Sequence, residues 1–271
     1  MLPCSKDILD KNIILRPIAK KIIQAYEHGD NIDLNKNLAE QAIQVNKGCH
    51  WLNQQVHLQT KSLLDAQKLV GVVGGSHGVS LGFIKALSNH YESFGILQLD
   101  AHMDLRSSYL GMTYSHACVM HHALEVPSVS KLVQVGVRDY EEDGLATVNQ
   151  SKGKIVTYFD KNMKDQRFEG TSWKKICSEI IHQLPENVYI SLDIDGLQSW
   201  LCPNTGTPVP GGLSFDEAMF LVSELVKSKR KIIGFDLVEV SPGPQEWGGV
   251  VGARLLYYLC GFMHVSLREI L

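Results

Sequence analysis

The rhythm of hydrophobic positions along this 271-residue chain changes near residue 69. Before it, apolar side chains recur about one helical turn apart in polar surroundings, at Ile22, Ile23 and Tyr26 and again at Leu34, Leu38, Ala42 and Val45. That spacing predicts helices. After it come short runs rich in β-branched residues, at 69–73, 94–99, 131–137, 154–159, 187–192 and 231–238, which read as buried strands. Helical patterns lie between and after them at 79–90, 115–125, 173–184, 215–227 and 246–262, several following Ser or Thr caps. Alternating strand and helix predicts a parallel sheet with helices on both faces. With no linker, repeat or low-complexity tract, residues 1–271 are expected to form one domain, with 1–68 a helical N-terminal part and 69–271 the α/β core.

Composition narrows the function classes. At 44% hydrophobic, 20% charged and 8% aromatic the chain is of ordinary globular type. A formal charge of −3, with no run of Lys and Arg longer than 229–231, argues against a nucleic-acid surface. The apolar stretch 255–265 is about half a bilayer span, and 1–17 has no signal-peptide core, so a cytoplasmic protein without a membrane segment is expected. Cysteines 4, 49, 118, 177, 202 and 260 are scattered and form no Cys-x-x-Cys pair. They read as reduced thiols, and any metal must be held by other residues.

In an open parallel sheet, ligands bind beyond the carboxyl ends of the strands. The predicted strands are followed there by Gly74-Gly75-Ser76-His77, by Asp100-Ala101-His102-Met103-Asp104, by Asp193-Ile194-Asp195 and by Glu239. A single Asp after a strand is often the N-cap of the next helix. Capping does not require Asp-x-His-x-Asp, whose alternation places three ligating side chains on one side of an extended segment, nor its repetition as Asp193-x-Asp195. Asp100, Asp104, Asp193 and Asp195 together would repel one another unless cations sat among them, and two divalent ions balance their four charges, with His77 and His102 as neutral ligands. Oxygen and nitrogen donors without sulfur suit manganese.

These blocks, with Ser191-Leu192-Asp193-Ile194-Asp195-Gly196, Thr205-Gly206-Thr207-Pro208 and Gly211-Gly212-Leu213, resemble in order and spacing the ureohydrolase family of arginases, agmatinases and formimidoylglutamases, over residues 69–264. The resemblance implies an arginase-like three-layer α/β/α sandwich with a mostly parallel sheet, two Mn2+ ions per chain, and hydrolysis of a guanidinium or amidine C–N bond in a homo-oligomer, a trimer or hexamer. It implies that His77, Asp100, His102, Asp104, Asp193 and Asp195 are the metal ligands, that Glu239 orients the guanidinium, and that His116 moves protons. His121 and His122, a turn or more further on, are the competing histidines. Two departures from the family pattern, Ser76 and Gln198-Ser199 in place of Asp and Asp-Pro, fall outside the ligands and bear on rate and affinity.

Substrate choice rests on loops. Arg138 in Gly136-Val137-Arg138-Asp139 resembles arginases and agmatinases, whereas Asp104-Leu105-Arg106 lacks the Asn that arginases carry there. The stretch from Asp104 through Met120 looks most like agmatinases. Arg106 could bind a carboxylate, and Glu141, with Glu142 and Asp143, could attract a cationic tail. The expected activity is hydrolysis of agmatine to putrescine and urea, ahead of arginine or formimidoylglutamate. A single-zinc deacetylase-like enzyme and a non-catalytic metal-binding relative are the alternatives.

Overall fold

The computed structural model describes residues 2, 4–30 and 35–268; Leu34, in the helical pattern above, lies outside them. Six strands, β1 (Gly71–Val73), β2 (Phe94–Leu99), β3 (Val129–Val137), β4 (Ile155–Phe159), β5 (Asn187–Asp193) and β6 (Lys231–Val238), form one sheet in the order β1-β6-β5-β2-β3-β4. Every pairing is parallel. The chain enters the middle at β2, moves outward to β3 and β4, then returns to place β5 on the other side of β2. The order therefore reverses between β2 and β5, the place where open α/β sheets bind ligands.

Period-two alternation sends successive strand residues into two cores. Leu97, Leu99, Ile190 and Leu192 pack with α7 (Trp173–His182), α8 (Phe215–Lys227) and α9 (Trp247–Leu267). Phe94, Ile96 and Tyr189 face α3 (Ser80–Leu87) and α4 (Val119–Leu124) on the opposite side. These two packed faces make the three-layer α/β/α sandwich. The N-terminal pattern folds as α1 (Lys6–Glu27) and α2 (Lys36–Asp65), joined by their own small core of Ile22, Ala25, Leu38, Ala42 and Val45.

Differences from the sequence reading have local causes. The strand expected from 69 starts at Gly71. The helices expected from 79 and 115 are each preceded by a single 3-10 turn, His77–Val79 and His116–Cys118. Two helices escaped the pattern: α5 (Glu142–Gln150) and α6 (Asp160–Phe168), in which only Gly144 and only Asp160 and Met163 are buried, too little for a 3.6-residue stripe. Helix α9 runs 21 residues to Leu267 and, by length and composition, is the one helix among the described residues that could cross a bilayer. Its seam Val251, Leu255, Leu259 and Met263 is buried against the core.

Candidate active site

The carboxyl ends of β2, β5, β1 and β6 bring together the residues that the strand-end reading singled out. Asp100 leaves β2, Asp193 ends β5 and Asp195 follows it, His77 follows β1, and Glu239 follows β6. The β2 and β5 ends approach closely because Gly196 has no side chain: a Cβ there would lie 2.6 Å from the Asp100 amide nitrogen and 2.7 Å from the Leu99 carbonyl carbon. Asp104 and Glu239 both hold left-handed backbones, φ +55° and +58°, at about 1–2 kcal/mol each for a non-glycine residue. The surroundings hold them there. Met120 and His121 donate their amides to the Asp104 carbonyl, Glu239 donates its own to Gly75 O, and the Thr205 hydroxyl donates to Glu239 O. Sequence periodicity carries no sign of such strain.

Two groups of ligating atoms meet at Asp100, namely His77, Asp100 and Asp193, and Asp100, His102 and Asp195. His77 Nδ1 lies 2.9 Å from Asp104 Oδ2, 3.3 Å from Asp100 Oδ2 and 3.4 Å from Asp193 Oδ2. His102 Nδ1 lies 3.1 Å from Asp195 Oδ2 and 3.5 Å from Asp100 Oδ1. Backbone amides fix the other oxygens: Asp195 N donates to Asp193 Oδ1 and Ala101 N to Asp195 Oδ1, both at 3.0 Å. The Oδ2 atoms are thus aimed into the cluster.

His77 is fully buried, yet its Nδ1, surrounded by carboxylates, is aligned for a hydrogen bond with none of them. An orphaned ring nitrogen amid hard oxygen donors is what a bound cation would satisfy, so these residues fit divalent metal. Behind it, His77 Nε2 is 2.8 Å from Ser191 Oγ, which donates to Asp236 Oδ1 at 3.2 Å. Tyr189 donates to the same buried carboxylate, so the ring is oriented from behind.

Without cations the cluster is electrostatically divided. Burial and neighbouring carboxylates push Asp104 up to about 7 and raise Asp193 and Asp195. Asp100 is held below the usual carboxylate range because His102 and His77 outweigh its burial. The same carboxylates outweigh the burial of His102 and lift it to about 11, and lift His77 well above an ordinary histidine. His116 goes the other way, lowered by burial despite nearby Glu239.

Two cavities flank this cluster. One, of about 140 Å³, is lined by His102, Asp104, Arg106, Tyr109, His116 and Glu141. The other, about 650 Å³ and mostly apolar, runs beneath α1 and α2 past Leu15, Ala19, Val45 and Trp51 and also reaches Ser76, Tyr109, His116 and Glu239. His116 therefore faces both spaces. Of its competitors, His122 has both ring nitrogens near partners, Glu125 Oε2 at 3.0 Å and Thr113 O at 2.9 Å. His121, His122 and Glu125 form a further ligating group on α4 and the residue that follows it, sharing no residue with the two groups at Asp100.

The substrate-binding expectations need correction. Arg138 does not point into either cavity. Its Nε donates to Val209 O, Nη1 to Gly136 O, and Nη2 to the carbonyls of Asp195, Leu197 and Val209 at 2.6–3.1 Å. A guanidinium spent on four carbonyls is a brace for the segment that carries Asp195. Arg138→Met is expected to cost about 2–3 kcal/mol of stability, read by denaturant unfolding, because it strands those acceptors. Glu141 and Arg106 do line the smaller cavity, but they pair with each other at 3.2 Å. Glu142 and Asp143 sit in the first turn of α5, where they complement the helix dipole rather than face a ligand.

Sequence reasoning missed Tyr109, shared by both cavities, and Gln98, which donates to Asp100 Oδ2 at 2.8 Å and accepts from Gln134. The available signal was a Gln interrupting each of two apolar strands. The departures fall beside the cluster: Ser76 borders the larger cavity, and Gln198 precedes a 3-10 turn, Ser199–Leu201. Cys118 is buried, its thiol pushed up to about 11 by burial, and all six cysteines are free.

Fold and site together define an α/β protein with a paired His/Asp cluster able to hold metal at the sheet's switch point. A model of the arginase family matches residues 16–261, and the chain belongs to that family. It is 35% identical over 198 residues to the N(1)-aminopropylagmatine ureohydrolase of Thermus thermophilus, covering 73% of this chain and 64% of that one. It is 34% identical over 191 residues to the agmatinase of Pyrococcus horikoshii, covering 70% and 61%. The match thus spans slightly less than two thirds of either relative. The crystal structure of the agmatine ureohydrolase of Thermoplasma volcanium superposes with a TM-score of 0.69 at 25% identity, covering 82% of this chain and 72% of that one.

Proposed function

We propose that this chain is a metal-dependent ureohydrolase that cleaves the guanidinium of agmatine to give putrescine and urea. One observation carries the reading: two His/Asp groups share Asp100 beside a cavity that also presents His116. The names of the relatives support the substrate class. His77, Asp104 and Asp193 would hold one manganese ion, His102 and Asp195 the other, with Asp100 common to both. When bound, such a pair supplies a water acidified toward neutral pH and neutralises charge that develops on the substrate.

The chain's own groups do the rest. Glu239 Oε1 accepts the His77 amide at 2.8 Å, so the carboxylate is held in place with Oε2 left to accept from a guanidinium. His116, whose pKa burial lowers, can take up a proton on its ring and deliver it to the departing amine. Tyr109, which borders both cavities with His116, gives the planar head of the substrate an aromatic surface to pack on. In the lining of the smaller cavity, the Arg106–Glu141 pair offers one charge of each sign. That arrangement suits a zwitterionic tail as well, and arginine is the second reading. A homo-oligomer and a cytoplasmic location remain part of the proposal.

Manganese-loaded protein is expected to release urea from agmatine faster than from arginine or 4-guanidinobutyrate, and no formamide from formimidoylglutamate. Separate urea and formamide assays on this panel, with N(1)-aminopropylagmatine included, check it. Absence of urea from every guanidino compound would favour the non-catalytic alternative.

A further inference from the structure

We propose that Asn46, on α2, is a positioning residue for the site, acting through the turn that carries Tyr109. Tyr109 and Met112 exchange backbone hydrogen bonds at 3.0 and 2.9 Å around the two residues Leu110 and Gly111. Both central residues are left-handed, φ +50° and +74°, the signature of a type I′ turn. Glycine adopts that conformation freely, but leucine does not. The turn therefore needs support from outside itself.

Asn46 supplies it with one side chain. Its Nδ2 donates to Gly111 O at 2.9 Å, and its Oδ1 accepts from Thr113 N at 2.8 Å, so the amide bridges the turn and the segment that leaves it. These are its only side-chain hydrogen bonds among the described residues, and both go to the backbone of the site loop. The anchor is firm, because α2 buries Leu38, Ala42 and Val45 against α1.

The consequence lies at Tyr109. Its ring meets His116 edge-on at 5.7 Å between centroids, and the Arg106 guanidinium lies over it at 5.2 Å. Tyr109 and His116 also border both cavities. Holding the turn thus holds the wall between the two spaces and sets the position of the histidine and the arginine. A residue on a helix that contributes no ligand to the metal cluster thereby governs the geometry of the cleft.

The kinetic part of the test rests on the ureohydrolase reading; the exchange part does not. In the full metal-loaded chain, Asn46→Ala is expected to lower kcat/KM for agmatine about 10–100-fold, the scale of a displacement of roughly 1 Å at a site. Metal content should be unchanged. In a Tyr109→Ala background the same substitution should cost less than about twofold, since the element through which it acts is gone. Equal losses in both backgrounds, or a kcat/KM within about twofold of wild type in the single variant, would overturn the proposal. Independently, the Thr113 amide should exchange with deuterium at least about tenfold faster in Asn46→Ala while α2 amides keep their rates. Unchanged Thr113 exchange overturns the clasp. A wild type that releases no urea but shows the exchange effect overturns the ureohydrolase reading instead.

Discussion

Asp100→Ala is expected to abolish urea release, lowering the rate by at least about 10³-fold, and to take metal content from two ions per chain to nearly none. The magnitude follows from losing several kcal/mol of charge stabilisation at about 1.4 kcal/mol per tenfold. Asp100 is singled out because both ligand groups contain it: its Oδ2 faces His77 Nδ1 at 3.3 Å and its Oδ1 faces His102 Nδ1 at 3.5 Å. His102→Ala touches only one group and should leave one ion bound, with urea release still abolished because the second ion is missing. Elemental analysis of dialysed protein beside a urea assay separates the cases. Two ions retained in Asp100→Ala would refute the shared role. A wild type that binds a single zinc and no second metal would point to the deacetylase-like alternative.

Much of this site could be read from the residues because its chemistry is local in sequence. Asp-x-His-x-Asp and Asp-x-Asp follow strand ends, and two predicted strands, 94–99 and 231–238, match the observed β2 and β6. What escaped depends on contacts between distant segments. Arg138 has a sequence context that suits a ligand-binding loop, yet it turns inward onto the carbonyls of Gly136, Asp195, Leu197 and Val209, three of which come from segments 57–71 positions away. The pairing of Arg106 with Glu141 spans 35 positions and no periodicity foretells it. Asn46 reaches the site loop from 65 residues away, and an Asn on an exposed-looking helix turn carries no mark of that use. The left-handed backbones at Asp104 and Glu239 are likewise held by partners distant in sequence, α4 for Asp104 and the loops at Gly75 and Thr205 for Glu239. Roles for His116 and Glu239 came from the family resemblance, and the geometry adds that both border one cavity.

Metal should also invert the response of the fold to pH. In the metal-free protein, Asp104 at about 7 and the raised Asp193 and Asp195 bind protons in the folded state that the unfolded chain has already released, so stability falls as pH rises from about 4 toward 7. His102, lifted to about 11, and His77 contribute stability that is complete below about 6.5 and is lost as pH climbs through their folded values. Asp100 has the opposite sign, but its stabilisation is lost only on acidification below about 4. Between pH 5 and 9 every cited shift within the cluster therefore acts the same way, and chelated protein should lose thermal stability steadily. Manganese competes with those protons, binds more tightly as they leave, and replaces mutual repulsion by attraction. At free metal about 100 times its dissociation constant, two sites add about 5 kcal/mol, or about 10 °C in Tm for a chain of this size. Scanning calorimetry from pH 5 to 9, with chelator and with manganese, should give curves that diverge as pH rises. Titration of metal in buffers of different ionisation enthalpy should show proton release. Parallel curves without proton release would mean that these carboxylates and imidazoles do not bind the ion.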